Sequence, residues 1–342
     1  MYSKRLTAAA LAGVLVFGGA TAATAETAAE FYKGKTLKIV FGFGVGGTYG
    51  KYSKILAQYL APYTGAEKVI TQSMPGAGGI KSANFMYNVA KPDGLTLFMP
   101  PDTIVISELL RPKAVKYKSN DFQWLGTAIQ SNSIIVLRAD AGIEKVSDLK
   151  SKQIIMGSTG KGSQTFLMPS LVNGVLDAKF KIVSGYKGSR KTQLAMEQNE
   201  VQGVALTWLS WKSAKEKWFT DGFAKPVVQI GVQKEQDLPN VPMLADLVSG
   251  EDKKIVNFMA TMGPLGRGLV VPKGTPKDRV EFLRAAFNKT VADPNFIVNA
   301  EKRKLRVQAA TGAQLQKIVN DSLKVSEDTV KRARAIIFGK SS

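Results

Sequence analysis

The feature that most constrains the fold is a series of strands and helices that occurs twice. In residues 36–100 and again in residues 152–208, apolar strand-like runs alternate with helical stretches in the order β-α-β-α-β. A glycine-rich turn follows each of the first two strands in both series. These turns lie at residues 42–47, 75–79, 157–163 and 185–188. The alternation predicts two similar lobes, each a mostly parallel sheet with helices on both faces.

The ends of the two series set the expected division into lobes. We predict that residues 26–132 form the first part of lobe 1, that residues 133–230 form lobe 2, and that residues 231–342 return to lobe 1 with the C-terminal helices. Ligands of open α/β sheets bind beyond the carboxyl ends of the strands. Two lobes that face each other there enclose a cleft lined by the four glycine-rich turns.

The N-terminus has the composition of a secretory signal. Lys4 and Arg5 precede a short apolar stretch, and Ala23-Thr24-Ala25 is a small-residue cleavage site. The apolar stretch is shorter than the ~20 residues that span a bilayer. We therefore predict that residues 1–25 are removed and that the mature protein begins near Glu26 in the periplasm. The alternative is a membrane anchor.

The absence of histidine and cysteine narrows the chemistry. A chain without histidine cannot contain a Ser-His-Asp triad or a histidine-bound zinc ion. A chain without cysteine has no disulfide, thiolate nucleophile or cysteine-based metal site. An enzyme would need carboxylates or a lysine as its acid and base. We therefore expect a binding protein without catalytic residues, metal or cofactor.

The net charge of +20 favours anionic partners. Basic residues are spread along the chain with acidic residues between them, and no arginine-rich arm, zinc-finger spacing or RNA-binding signature occurs. These observations favour a small acid over nucleic acid as the ligand.

The first glycine-rich turn leaves one enzymatic alternative open. Gly42, Gly44 and Gly47 match the spacing of dinucleotide-binding loops, between a strand and a helix. Such a site requires an acidic residue ~20 positions later, at the end of the second strand. Glu67 has the distance but precedes that strand. An exported dinucleotide-dependent or lysine-based enzyme therefore remains the alternative to a binding protein.

Glycine-rich turns that lead into helices suit a carboxylate without any titrating side chain. They present N–H groups, hydroxyls and positive helix ends to an anion. A helix N-terminus contributes ~0.3–2 kcal/mol, and a charge-assisted hydrogen bond ~1.5–3 kcal/mol. A few such interactions from each lobe give micromolar binding, ~−8 kcal/mol. The alternative is that the glycines only permit tight strand-helix turns.

Several segments resemble one family of receptors. They include "FYKGKTLKIVFGFGVGGTYGKYSKILAQYL", "MPGAGGIKSANFMYNVAKPDGLTLF", "GSTGKGSQT" and "FKIVSGYKGSRKTQLAMEQNEVQG". The ordered combination of P-G-A-G-G, P-D-G and G-Y-x-G-S resembles the Bug-type solute receptors of tripartite tricarboxylate transporters. The resemblance implies a periplasmic, type II-like clamshell that acts as a monomer. It also implies that a small organic acid, usually a carboxylate, is delivered without catalysis to integral-membrane permease subunits.

The resemblance also implies which loops hold the carboxylate. The matching first-lobe residues are Gly46, Gly47, Thr48, Tyr49, Ser73, Gly76, Ala77 and Gly78. The matching second-lobe residues are Ser158, Thr159, Gly162, Ser163, Tyr186, Thr207 and Trp208. Members of the family often have an acidic residue just beyond the tyrosine, where this chain has Gly50 and Lys51. This departure makes that end of the cleft more positive.

Other side chains have two interpretations each. Asp102 and Thr103 follow a strand and either contact the ligand or cap a helix. Asn132 lies near the predicted hinge and is a further candidate for ligand binding. Lys161 either pairs with a second carboxylate or is solvated. The aromatic residues that either wall an aromatic ligand or belong to the core or an interface are Tyr186, Trp208 and Trp211.

Overall fold

The computed structural model describes residues 26–339, where the strands form a six-stranded and a five-stranded sheet. The predicted secretory signal, residues 1–25, lies outside this part of the chain. The first sheet contains β1 (Thr36–Phe41), β2 (Lys68–Ser73), β3 (Thr96–Met99), β4 (Gln123–Thr127), β10 (Gly268–Val271) and β11 (Ala310–Thr311). The second contains β5 (Ser133–Arg138), β6 (Ile154–Ser158), β7 (Phe180–Ser184), β8 (Gly203–Thr207) and β9 (Ala224–Ile230).

Both sheets combine parallel and antiparallel strands. Their orders are β11-β4-β10-β3-β1-β2 and β7-β6-β8-β5-β9. The strands joined by helical crossovers are parallel. β1 pairs in parallel with β2 and β3, and β6 pairs in parallel with β7 and β8. The strands that the chain enters from the other lobe, β10 and β5, are antiparallel to their neighbours. β10 pairs with β3 and β4, and β5 pairs with β8 and β9. The predicted two-lobed α/β fold is confirmed, with mixed sheets.

The helices follow the glycine-rich turns as the sequence pattern predicts. They are α1 (Ala28–Tyr32), α2 (Thr48–Thr64), α3 (Ile80–Asn88), α4 (Ile104–Leu110), α5 (Gln164–Leu176), α6 (Ser189–Glu197), α7 (Trp208–Lys215), α8 (Lys217–Thr220), α9 (Gly250–Ala260), α10 (Lys277–Ala292), α11 (Pro294–Lys302), α12 (Gly312–Ser322) and α13 (Glu327–Phe338). Between residues 26 and 339, no helix is long and apolar enough to cross a membrane.

Two helix boundaries differ from the sequence prediction because of capping side chains. The helical pattern of residues 311–337 predicts a single segment, but Ser326 accepts a hydrogen bond from the Thr329 amide and starts α13 as a separate helix. Trp208 was predicted to end a strand. It begins α7 instead, because the Thr207 hydroxyl accepts a hydrogen bond from an amide in the first turn of that helix.

The C-terminal part of the chain serves both lobes. Residues 231–342 were predicted to belong to lobe 1, and α10 does pack there through Leu283 and Phe287. The apolar faces of α9 and α13, which include Met259 and Ala333, join the core of the second sheet instead. The predicted assignment is therefore wrong for these two helices. Below, lobe 1 and lobe 2 mean the first and second sheets with the helices packed on each.

The two lobes touch through their turns. The Gly44 amide donates a hydrogen bond to the Lys187 carbonyl at 2.8 Å. Thr103 Oγ1 and Ser107 Oγ both donate to the Gly162 carbonyl, at 2.6 and 3.1 Å. Because these bonds join the ends of strands in opposite lobes, the cleft between them is closed.

Candidate functional site

A cavity of about 30 Å³ lies between the closed lobes. We call it the inner chamber. Its wall consists of Phe43, Gly47, Thr48, Tyr49, Asp102, Thr159, Ser163, Gln164, Thr165, Ser189, Leu206, Ser210 and Arg267. Most of these residues lie at or beyond the carboxyl ends of strands, as expected for this fold. The volume accommodates water, which needs ~10–15 Å³, but an organic acid enters only when the lobes separate.

Arg267 and Asp102 form a buried ion pair in the chamber wall. Their side chains are 2% and 5% exposed, and Arg267 Nη1 lies 3.2 Å from Asp102 Oδ2. The guanidinium also donates to the Gly266 carbonyl at 2.9 Å and lies 3.9 Å from the centre of the Tyr49 ring. Burial raises the pKa of the Asp102 carboxyl, and the charge of Arg267 opposes that shift. Each charge therefore depends on the other, since neither side chain is exposed to bulk solvent.

Two threonines connect Arg267 to both lobes. Its Nε and Nη2 atoms lie 3.2 and 3.0 Å from Thr48 Oγ1, and Nη2 lies 3.3 Å from Thr207 Oγ1. The Ser210 hydroxyl lies within 3.1 Å of Thr48 Oγ1 and 2.8 Å of Thr207 Oγ1. Because Thr48 begins α2 in lobe 1 and Thr207 caps α7 in lobe 2, this network stabilises the closed arrangement.

Gln164 contributes an unsatisfied acceptor to the chamber wall. Its side chain is 6% exposed, and its Nε2 atom lies 3.4 Å from Asp102 Oδ2. Its Oε1 atom has no hydrogen-bond partner among residues 26–339. A buried acceptor without a partner costs ~1–3 kcal/mol. A donor on a ligand, or an ordered water, would remove that cost.

The P-G-A-G-G turn closes the cleft by backbone packing and does not line the chamber. Gly78 has φ +70°, and a Cβ there would lie 2.5 Å from the Ser163 amide nitrogen and 2.8 Å from backbone atoms of Gly162. Ala77 is exposed at the tip of the turn, next to Gly76. This turn therefore acts as a close contact between the lobes.

The structure brings many of the predicted residues to the chamber. Those in its wall are Gly47, Thr48, Tyr49, Thr159 and Ser163. Gly78, Ser158 and Thr207 each contact a wall residue, and Thr103 and Gly162, which bond to each other, are the sequence neighbours of the wall residues Asp102 and Ser163. Ser73 lies further back, where its hydroxyl donates to the Phe43 carbonyl at 2.7 Å.

Three more of the predicted residues have their side chains directed elsewhere. Asn132 donates to the Gln233 carbonyl and lines a separate cavity near the hinge. The Tyr186 hydroxyl donates to Glu200 at 3.2 Å. Trp208 is 3% exposed and donates to Asp237 at 3.0 Å. Trp208 and Trp211 share the core of lobe 2 with Phe219, and Tyr186 packs against its edge, as in the core interpretation of these aromatic residues.

Sequence reasoning missed the most central charge, Arg267. Its place at the start of the apolar run "RGLVV" predicts a strand and gives no sign of a role at a site. Its only local signal is its setting, a charged residue between Gly266 and Gly268 at the head of the fully buried strand β10. Asp102 was considered only as a possible cap or contact, and Gln164 was not considered.

A larger cavity adjoins the chamber and has a different character. We call it the basic groove; its volume is about 650 Å³. Its lining includes the charged residues Lys51, Lys187, Arg190, Lys191, Glu197 and Lys215, the turn residues Gly44, Val45, Gly46 and Gly188, and Gly47, Thr48, Ser189 and Ser210, which it shares with the chamber. The predicted ligand residue Gly46 therefore lies in the groove.

The turn with dinucleotide-like spacing is occupied by protein contacts. A Cβ on Gly42 would lie 2.8 Å from the Gly79 Cα, and one on Gly44 would lie 2.9 Å from the Lys187 carbonyl oxygen. A pyrophosphate needs close approach to the backbone at such glycines. In the described part of the chain, no cluster of metal-ligating side chains occurs. In the closed structure, protein contacts therefore occupy the space next to these two glycines.

Comparison with known proteins agrees with the geometry. The sequence model of the tripartite tricarboxylate transporter family receptor, TctC, matches residues 55–336. The chain is 25% identical over 328 residues to a UPF0065 protein in the gbd 5′ region of Cupriavidus necator, covering 93% of this chain and 91% of that relative. It is 23% identical over 302 residues to a UPF0065 protein in the tcbD-tcbE intergenic region of Pseudomonas sp. strain P51, covering 86% and 84%.

Solved structures share the fold. The periplasmic binding protein BugD is 19% identical with a TM-score of 0.71, covering 88% of this chain and 98% of BugD. MatC from Rhodopseudomonas palustris is 20% identical with a TM-score of 0.68, covering 86% and 99%. The predicted resemblance is confirmed, and because the family model matches most of the chain, this protein belongs to the tripartite tricarboxylate transporter receptor family.

Proposed function

We propose that this protein is a periplasmic receptor that captures a small organic acid between its lobes and delivers it to the permease of a tripartite transporter. The observation that carries the proposal is the buried cation Arg267, which bonds to hydroxyls of both lobes at the closed cleft. A carboxylate held there contacts both lobes at once. Family membership supports the proposed transport role.

Binding and closure are coupled through the Arg267 network. When the lobes separate, Thr207 and Ser210 move away with lobe 2, and part of the Arg267 hydrogen-bonding capacity becomes free. A carboxylate that takes these bonds makes more contacts in the closed form than in the open form. Only such a difference shifts the equilibrium towards closure. The unsatisfied Gln164 acceptor then suits a hydroxyl or ammonium donor on the same acid.

Two proteins of similar fold were solved with acids bound. MatC from R. palustris was solved with malate, and a second R. palustris protein, 16% identical with a TM-score of 0.68, was solved with adipate. Both molecules are small dicarboxylic acids. They support an organic acid as the ligand class for this chain.

A thermal-shift screen tests the ligand class. The panel contains mono-, di- and tricarboxylates, aromatic acids, amino acids and NAD(P). A ligand present at ~100 times its Kd stabilises a one-site protein by ~2.7 kcal/mol. We expect at least one acid to raise the Tm and NAD(P) to leave it unchanged. Stabilisation by NAD(P) without any effect of the acids would contradict the proposal and favour the dinucleotide-dependent enzyme.

Two further measurements test closure and export. Small-angle scattering is expected to give a smaller radius of gyration with the acid bound, and an unchanged radius at saturation would indicate a rigid site.

Intact-mass measurement of protein from the periplasmic fraction is expected to show a chain that begins near Glu26. Full-length protein held in the membrane would argue against export.

A further inference from the structure

The basic groove contains charge that the protein does not neutralise. In the described residues, Lys51, Lys187, Arg190 and Lys191 form no ion pair, whereas Lys215 is paired with Glu197 across the groove. Lysines on the outer helices are neutralised locally, for example by the pairs Lys317–Asp321 and Lys212–Glu216. The groove therefore has four cations around one concave surface. Its one carboxylate, that of Glu197, is already paired with Lys215.

Two of these cations repel each other. The Lys51 ammonium is half-buried beside the Arg190 guanidinium, and burial together with that charge lowers the pKa of Lys51. Its hydrogen bond to the Ser213 carbonyl, at 3.0 Å, is made with a neutral group. An anion in the groove would relieve this repulsion, since it attracts both cations.

Two helix N-termini open into the same groove. The 17-residue helix α2 begins after Gly47, and the nine-residue helix α6 begins after Gly188. Neither helix has a side-chain cap at its N-terminus. Both ends therefore add partial positive charge, and uncapped N–H groups, to a surface that already contains four cations.

We propose that the basic groove is a second anion site, separate from the inner chamber, that binds a small polyanion with three or more negative charges. A monoanion would leave most of the four cations uncompensated. The volume of about 650 Å³ lies within the ~300–1,000 Å³ of small-molecule sites. Clustered carboxylates and condensed phosphates share the required chemistry. The site uses neither Arg267 nor Asp102, so it stands whether or not the chamber binds an acid.

Titration calorimetry with matched double variants tests the proposal. The probes are citrate, tripolyphosphate and, as a single charge, acetate. Lys51→Gln/Arg190→Gln and Lys187→Gln/Lys191→Gln each remove two groove charges. Lys253→Gln/Lys289→Gln removes two exposed, unpaired charges elsewhere and is the matched control. We expect each groove variant to weaken polyanion binding at least about tenfold and the control to weaken it less than about twofold, at ~1.4 kcal/mol per tenfold.

The two polyanions distinguish the sources of the ligand. Tighter citrate binding identifies a polycarboxylate, and tighter tripolyphosphate binding identifies a phosphorylated ligand. Affinity should also fall as ionic strength rises from about 0.01 to about 0.15 M, because the Debye length falls from ~30 to ~8 Å. The Lys187/Lys191 variant tests the site with little effect on the fold, since both side chains are exposed and make no hydrogen bond within the described part of the chain.

Three results would overturn the proposal. They are no binding of either polyanion at about millimolar concentration and low salt, equal losses in the groove and control variants, or groove variants that bind like the unmodified protein. Tripolyphosphate binding that depends on the groove lysines, with no acid binding that survives the groove variants, contradicts only the proposed receptor function. The reverse result contradicts only the groove site.

Discussion

The inner chamber and the basic groove share four residues, yet they differ in how charge is satisfied. In the chamber, the Arg267 guanidinium is fully buried and its donors reach Asp102, Gly266, Thr48 and Thr207. In the groove, four cations have no acidic partner among residues 26–339. The chamber has about 30 Å³ and the groove about 650 Å³.

This difference implies that the chamber acts in closure, whereas the groove attracts a ligand of opposite charge. Buried charges that satisfy each other influence the choice between open and closed forms, and removing only one of them is strongly destabilising. Exposed charges of one sign contribute little to stability but attract an oppositely charged ligand. The variants below act on one region or the other, and their effects on Tm and on affinity should separate accordingly.

The largest effect is expected from Arg267→Met. This change leaves the Asp102 carboxylate buried without its partner, which costs ~3–5 kcal/mol and lowers the Tm by roughly 6–20 °C at ~2–4 °C per kcal/mol. The groove counterpart, Arg190→Met, removes an exposed arginine and is expected to stay within about 0.5 kcal/mol. Calorimetric or circular-dichroism melting of both variants measures the difference.

The double variant Arg267→Met/Asp102→Leu is the control for this result. Replacing both members of a buried pair with apolar side chains is often nearly neutral, so much of the lost Tm should return. Similar losses for Arg267→Met and Arg190→Met would abolish the distinction between the two regions.

Gly78→Ala should come next, with its main effect on affinity. The new Cβ would meet the Ser163 amide nitrogen at 2.5 Å, so the lobes cannot close fully. Gly65→Ala is a matched control, because Gly65 has the same φ of +70° but nothing within 4 Å of a Cβ. Both variants contain the backbone strain of a positive φ, but only Gly78→Ala blocks closure.

Calorimetric titration with an acid from the thermal-shift screen measures this difference. We expect Gly78→Ala to lose more than about tenfold in affinity, at ~1.4 kcal/mol per tenfold, and Gly65→Ala to retain its affinity with a lower Tm. Equal affinities for the two variants would mean that the turn contact is unimportant for binding.

A smaller effect is expected in the pH dependence that Asp102→Asn removes, beside the pH-independent cost of leaving Arg267 without its acidic partner. Burial raises the pKa of Asp102 in the folded state above its ordinary 3.8. The folded protein then holds this proton more tightly than the unfolded chain. The resulting stability is fully present below pH 3.8 and is lost as the pH rises through the raised pKa. Asparagine cannot titrate, so the variant lacks this component.

The Tm of the unmodified protein and of Asp102→Asn, measured from pH 3.5 to 7, tests this sign. The stability of the unmodified protein relative to the variant should fall with rising pH. A relative stability that rises instead would show that the Arg267 charge outweighs burial at this carboxyl.

The fold was predictable because its signals are local. Strand runs, glycine-rich turns and helix starts such as Thr48 and Ser189 lie in contiguous sequence, and helical crossovers force parallel pairing. The side of the molecule that α9 and α13 cover was not predictable. Both helices are amphipathic, and either sheet offers an apolar face, so the path of the chain decides.

The chamber was only partly predictable, for a related reason. Residues on turns, such as Thr48 and Thr159, follow from the rule that ligands lie at strand ends. Arg267 lies 219 positions from Thr48 and 60 from Thr207, so no local pattern reveals its partners. The aromatic residue Trp208 has the opposite lesson. It follows directly after Thr207, which bonds to Arg267, but the start of α7 directs its ring into the core.

The smallest effect should come from Lys161→Ala. Its comparison with variants of Lys51 contrasts two lysines near the cleft. Lys161 is exposed and makes no ion pair in the described part of the chain, and it lines neither the chamber nor the groove. A solvated ammonium of this kind contributes ~0–1 kcal/mol. We therefore expect less than about a fivefold loss of acid binding and no change in tripolyphosphate binding, in contrast to variants of Lys51. If Lys161→Ala abolished acid binding while Gly78→Ala bound normally, the acid would be held by an ion pair on the turn after β6, and the chamber would not be its site.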